Sequence, residues 1–181
     1  MKNAWKKIKS KTIHKNPWYS LREDDVIRPD GQPGKYYVMD TGDAVGIIAE
    51  DVDNSIYLVG QSRYAISDYS WEVVTGGINQ GQSPLEAAKQ ELQEEAGFLA
   101  NEWIELGYIY SLESFSSEKC YIYVARDLTK TKTNPDPTED TTSRREKIKD
   151  VIRMIKNNEI TCSLTTAIFY KYLLFREGEN K

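Results

Sequence analysis

The chain is poor in the residues that would announce a disulfide scaffold or a histidine-based site. It holds two cysteines, Cys120 and Cys162, and one histidine, His14, among 181 residues. Two thiols cannot build the dense cross-linking of a small secreted domain, so both are expected to be reduced and structural. A single histidine argues against imidazole acid–base chemistry, and His14 is read as structural. No apolar run approaches membrane-spanning length, and the basic opening MKNAWKKIKSKTIHK lacks an apolar core. Neither membrane insertion nor secretion is expected, which leaves the cytoplasm. An excess of positive charge is missing as well. With 28 acidic against 24 basic residues the formal net charge is −4, which argues against a nucleic-acid backbone as partner.

What remains is the length and composition of one compact, enzyme-sized domain, with 39% hydrophobic residues. Its first third reads as antiparallel β-structure. Lys7 to His14 and Trp18 to Ile27 are strand-capable around the breaker Asn16-Pro17, RPDGQPG from Arg28 to Gly34 is a strong turn, and Tyr36 to Met39 and Ala44 to Ala49 follow. Lys6 to Lys11 is read as a solvated strand edge. Further strands are expected at Ile56 to Val59, Trp71 to Val74, Trp103 to Tyr110 and Cys120 to Ala125. Asp127 to Arg144, rich in Thr, Pro and Asp, is expected to be loop. Two helices close the chain, one marked by Ile148, Val151, Ile152 and Ile155 and one from Leu164 to Phe175, and Arg176 to Lys181 is expected to fray.

The most informative stretch is Gly76 to Phe98, GGINQGQSPLEAAKQELQEEAGF. A glycine loop runs directly into a helix whose limits are written in residues: Ser83 as N-cap, Glu86 three positions on, Pro84 at the first turn and Gly97 for a left-handed cap. Leu85, Ala88, Leu92 and Ala96 recur at helical spacing and face a core. Glu91 and Glu95 are four apart and neighbours on another face, with Glu94 beside Glu91. Three carboxylates this close repel one another unless a cation sits among them, and hard Mg²⁺ or Mn²⁺ held by carboxylate and phosphate oxygens supplies that charge. Taken alone, such a helix is more often a solvated acidic face.

The same stretch resembles the Nudix box, G-x5-E-x7-R-E-U-x-E-E-x-G-U with U apolar. Gly76, Glu91, Leu92, Glu94, Glu95, Gly97 and Phe98 match in register, while Gln82 and Gln90 stand where the family has Glu and Arg. NPWYSLREDDVIRPDG, QSRY from Gln61, WEVVTGG from Trp71, VARDL from Val124 and TED from Thr138 follow the order of the ADP-ribose pyrophosphatase branch. The resemblance implies an α/β fold, a Nudix α/β/α sandwich with a mixed sheet and an N-terminal antiparallel β segment. It divides the chain into residues 1–42, a dimerisation element, and 43–181, the hydrolase domain, and it implies a homodimer.

The resemblance also implies an activity, metal-dependent hydrolysis of a nucleoside diphosphate joined to another group, giving AMP and ribose 5-phosphate from ADP-ribose. Glu91, Glu94 and Glu95 become metal ligands with the Thr75 carbonyl, and Glu91 and Glu94 are also placed in the catalytic set. The general base is assigned to Glu139, with an ordinary loop carboxylate as the alternative. Gly76 and Gly77 form the substrate-facing loop. Arg63 is read as gripping the diphosphate or as a strand-end arginine, and Glu72 as accepting from ribose or base or as facing solvent. Trp18 and Tyr36 are read as base-stacking rings or as core or interface aromatics. Two departures leave alternatives open. SLESFSSE from Ser111 to Glu118 replaces the PSPGFSDE common in relatives, so another diphosphate or triphosphate substrate stays possible. The paired glutamines favour a weakly active nucleotide-binding module.

Overall fold

The computed structural model describes residues 4–133 and 141–179, and the chain divides into two compact units. The first comprises Met1–Asp43 with Tyr110–Lys119, and the second Ala44–Ile109 with Cys120–Lys181.

The first unit is built on a three-stranded antiparallel sheet in the order β1-β2-β3, from β1 (Lys6–Lys15), β2 (Ser20–Ile27) and β3 (Pro33–Asp40). The break before β2 is made by Asn16, whose side-chain oxygen accepts from the backbone N–H groups of Trp18 and Tyr19, both at 2.9 Å. That turn delays the strand to Ser20, two residues later than its β-propensity suggests. Every residue of β1 is exposed and the strand lies at the sheet edge, where its lysines discourage further pairing. The Leu112–Ser116 turn is tied to β3 by a parallel bridge between Met39 and Ser116 and by the Met39 N–H donating to the Phe115 carbonyl at 2.9 Å.

The second unit holds a seven-stranded mixed sheet. Its path is β10-β5-β4-β9-β8, from β4 (Ala44–Asp51), β5 (Ser55–Arg63), β8 (Phe98–Tyr110), β9 (Lys119–Lys130) and β10 (Thr142–Lys147). Off that path β6 (Asp68–Glu72) pairs with β5 and β7 (Val74–Gly77) with β4. The β4–β9 pairing is parallel, with Val45 opposite Tyr121 and Ile47 opposite Tyr123. Because strand side chains alternate between faces, β4 and β9 feed two separate cores. Ile48, Cys120, Ile122 and Val124 pack with Val151 and Met154 of α2 (Ile148–Lys156) and with Ile168, Phe169 and Tyr172 of α3 (Ser163–Glu179). Val45, Ile47, Ala49, Tyr123 and Ala125 pack instead with Ala87, Ala88 and Leu92 of the acidic helix. Helices on both faces of a mixed sheet make the expected α/β/α sandwich. Gly46 permits it locally, since a Cβ there would stand 2.3 Å from Cδ1 of Ile168.

Three expectations are corrected. The strand expected at Trp71 to Val74 is two, β6 and β7, and the expected loop glycines Gly76 and Gly77 lie in β7, paired with Val45 and Ala44 of β4. Residues 127–144 are not one loop, because β9 runs on to Lys130 and β10 starts at Thr142. β10 lacks an apolar signature because it is an edge strand held by polar groups: the Arg144 guanidinium lies 4.1 Å from the Trp71 ring centroid, and Arg145 donates to Asp51. The helix expected to end at Phe175 continues to Glu179. Its last turn is fastened to the sheet, with Arg126 donating to both oxygens of Glu179 at 2.9 and 2.6 Å and Arg176 to the Asn54 side chain at 2.6 Å. Among the described residues no helix is long and apolar enough to cross a membrane.

Candidate active site

The acidic helix α1 (Pro84–Glu91) starts as its residues dictate. The Ser83 hydroxyl accepts from the Glu86 N–H at 3.3 Å and the Glu86 carboxylate accepts from the Ser83 N–H at 2.9 Å, with Pro84 in the first turn. Its end at Gly97 is also as expected, but the form of its last turn is not. After Glu91 the helix widens into a π-helical turn, Leu92–Ala96, closed by Gly97 at φ 72°. In such a turn bonds run from i to i+5, so Glu95 falls slightly short of a full turn beyond Glu91 where an α-helix would overshoot it. No residue in LQEEA signals the change.

Each glutamate then finds a different environment. Glu95 is 4% exposed and accepts from the Thr75 N–H at 3.4 Å. Glu91 lies against Gly76 so closely that a Cβ on that glycine would sit 2.0 Å from the Glu91 carboxyl carbon, so only glycine lets strand β7 pass beneath the carboxylate. Gly77 is exposed with open space at its Cβ position. Glu94, half-buried, accepts from the Gln90 amide at 3.1 and 3.3 Å. Gln90 is set in turn by Gln82, whose amide donates to the Gln90 carbonyl at 2.9 Å while its own carbonyl accepts from the Asn79 N–H at 3.1 Å.

Arg63, at the end of β5, and Glu72, at the end of β6, form a fork: Nε to Oε1 at 2.9 Å and Nη2 to Oε2 at 2.6 Å. Glu72 does not face solvent; it is 5% exposed. Burial works against its charged form, yet hydrogen bonds from Arg63, Ser70 and Cys162 hold the carboxyl below its usual range. The bond to Glu72 raises the Arg63 guanidinium further, with smaller contributions from Cys162 and Glu95, so Arg63 lies within electrostatic reach of the acidic helix. Sequence reasoning missed Cys162, which reaches Glu72 from the start of α3, where its sulfur also accepts from the Thr165 N–H at 3.5 Å.

Arg63, Glu72, Thr75, Gly76, Glu91, Glu94 and Glu95 thus all belong to the second unit, whereas Trp18 and Tyr36 belong to the first. Trp18 is 79% exposed. Tyr36 donates its hydroxyl to the Ser114 carbonyl at 2.8 Å and stands edge-on to Trp5. His14 is exposed and lies beside Tyr19 and Asn16. Glu139 lies outside the described residues.

Among the described residues no three acidic, histidine or cysteine side chains already form a cage for an ion. The donor set nevertheless suits a hard divalent cation, because Mg²⁺ is commonly held by one or two carboxylates with substrate phosphates and water completing the shell. Glu91 and Glu95 present such oxygens against the Thr75–Gly76 backbone.

Residues 40–163 match the NUDIX domain family, and residues 5–39 match the nucleoside diphosphate sugar hydrolase N-terminal domain. The chain belongs to the Nudix family. This Nudix chain is 25% identical over 180 residues to an ADP-ribose pyrophosphatase of Bacillus subtilis (strain 168), covering 96% of the chain and 97% of that protein. It is 33% identical over 122 residues to an ADP-ribose pyrophosphatase of Mycobacterium tuberculosis (strain ATCC 25618 / H37Rv), 67% of the chain and 59% of that protein. A methanol dehydrogenase activator of Bacillus methanolicus is 31% identical over 125 residues, 69% of the chain and 68% of that protein. The crystal structure of an ADP compounds hydrolase superposes with a TM-score of 0.85 at 22% identity, covering 97% of the chain and 95% of that one, which establishes the shared fold. The chain is a Nudix pyrophosphohydrolase of the nucleoside diphosphate sugar type, and Nudix hydrolases generally use divalent metal.

Proposed function

We propose that the substrate is ADP-ribose or a close nucleoside diphosphate sugar, cleaved by water at the pyrophosphate bond to AMP and ribose 5-phosphate. The observation that carries this reading is the placement of Glu91 and Glu95 against the Thr75–Gly76 backbone, which follows the Arg63–Glu72 fork in the chain. The match to the nucleoside diphosphate sugar hydrolase N-terminal domain supports the substrate class.

Glu91, Glu95, Glu94 and the Thr75 carbonyl would hold the metal, Mg²⁺ or Mn²⁺. Bound there, such an ion neutralises charge developing on the phosphoryl oxygens. Glu94 keeps its carboxylate in one orientation through Gln90. Arg63 binds the diphosphate, Gly76 and Gly77 let the backbone approach it, and Glu139 removes the proton of the attacking water. Trp18 and Tyr36 supply flat surfaces for the base, and the working form is a cytoplasmic homodimer with no nucleic-acid or membrane partner.

Incubating the protein with Mg²⁺ or Mn²⁺ and a panel of nucleotide sugars, dinucleotides and nucleoside triphosphates tests the substrate class. Nucleoside monophosphate should appear fastest from ADP-ribose; preferential cleavage of a dinucleotide or triphosphate would replace this reading with another Nudix substrate. A second reading, a weakly active nucleotide binder, draws on Gln82 and Gln90, and tight nucleotide-sugar binding without turnover would favour it.

A further inference from the structure

We propose that Glu72 is a positioning residue that acts on the substrate through Arg63 and makes no substrate contact itself. The proposal rests on the reading above for the identity of the substrate and adds a division of labour within the site. Glu72 is 5% exposed, and each of its carboxylate oxygens accepts one arm of the Arg63 fork. Both carboxylate oxygens are therefore engaged by the guanidinium inside the protein. A ribose hydroxyl or base amide would have to displace one arm of the fork in a nearly dry site.

Arg63 is arranged the opposite way. Its side chain is 39% exposed, and the fork engages Nε–H and one Nη2–H. Of the five guanidinium N–H donors three remain, two on Nη1 and one on Nη2, in the plane that phosphate recognition uses. A free arginine would lose considerable rotamer entropy on gripping a diphosphate. Here Glu72 has already fixed it, and the β5–β6 hairpin fixes Glu72, with Val59 opposite Glu72 and Arg63 opposite Asp68. Behind the pair, the Thr165 hydroxyl accepts from the Val73 N–H at 3.3 Å and ties the start of α3 to the residue after Glu72. The Val73–Thr165 hydrogen bond therefore anchors the chain directly after the fork, just upstream of Thr75 and Gly76 in β7.

Calorimetric titration of the full chain with inorganic pyrophosphate in Mg²⁺, alongside kcat and KM for ADP-ribose, tests the division. Arg63→Ala should weaken pyrophosphate binding about tenfold, the size of one charge-assisted hydrogen bond. Glu72→Gln should weaken it in the same direction and raise KM while leaving kcat near wild type. The double variant should bind no more weakly than Arg63→Ala alone. Unchanged pyrophosphate affinity in a folded Glu72→Gln, losses that multiply in the double variant, or no pyrophosphate binding by the wild type would each overturn the proposal. Should Glu72→Gln fail to fold, Arg63→Lys carries the test, since it keeps the charge and loses the fork; wild-type affinity in that variant would overturn it. A protein that shows this binding pattern yet cleaves no nucleotide sugar would refute the substrate reading and leave the positioning role standing.

Discussion

Gln82 donates its side-chain amide to the Gln90 carbonyl across 2.9 Å, and Gln90 passes its own N–H groups to Glu94. Two neutral amides therefore occupy positions where the Nudix box has a charge pair, and the Asn79 N–H fixes which way the first amide points. Gln82→Glu keeps an acceptor for Asn79 but loses the donor to Gln90, and Gln90→Arg alone faces the neutral Gln82 amide in place of the carboxylate that would orient it. Each single change should lower kcat through a misplaced Glu94, while the double change, restoring a charge pair, should recover much of the loss. Gln90 is exposed and Gln82 half-buried, so melting temperatures should barely move. The check is a double-mutant cycle on kcat; multiplicative losses would show that the two amides act independently.

The acidic helix should be indispensable. Glu91→Gln and Glu95→Gln are each expected to lower turnover about 100-fold or more, because each removes a carboxylate from the site of developing charge. Gly76→Ala should also cost activity by displacing the Glu91 carboxyl, whereas Gly77→Ala has open space around the added methyl and should leave Glu91 in place. Comparing kcat for the two alanine variants decides the point, and equal losses would contradict the close approach of Gly76 to Glu91.

Acid should loosen the Arg63–Glu72 fork. The folded value of Glu72 lies below its ordinary 4.5 despite burial, because Arg63, Ser70 and Cys162 bind the carboxylate. A depressed folded value stabilises the native state fully above the unfolded value, and that stabilisation is lost as pH falls from about 4.5 through the folded value. The melting-temperature gap between wild type and Glu72→Gln should be largest near neutral pH and should shrink as the pH falls below the ordinary 4.5. A gap that stays constant over that range would mean the carboxylate charge contributes nothing.

Trp18→Ala should raise KM for ADP-ribose, on the order of 1 kcal/mol in binding, without lowering the melting temperature, since the ring is 79% exposed. An unchanged KM would return Trp18 to the surface.

Much of this was readable because it follows from local chemistry. The Ser83–Glu86 cap, the Gly97 terminus, the alternation of Val45, Ile47 and Ala49 and the antiparallel N-terminal strands come from neighbours in the chain. What was missed depends on partners distant in sequence. β10 exists because Trp71 and Asp51 accept its arginines, and α3 extends because Arg126, 53 residues before Glu179, binds that carboxylate. In the site, single residues suggested Arg63 and Glu72 separately; only the β5–β6 register shows them as one unit, with Cys162 arriving from α3.

The most direct measurement is AMP release from ADP-ribose by the purified full chain with Mg²⁺ or Mn²⁺, before and after chelation. AMP and ribose 5-phosphate should form in equal amounts, stop when the metal is removed and resume when it is restored. Activity that persists in chelator, or ADP-ribose that binds and is never cleaved with either metal, would contradict hydrolysis at this site.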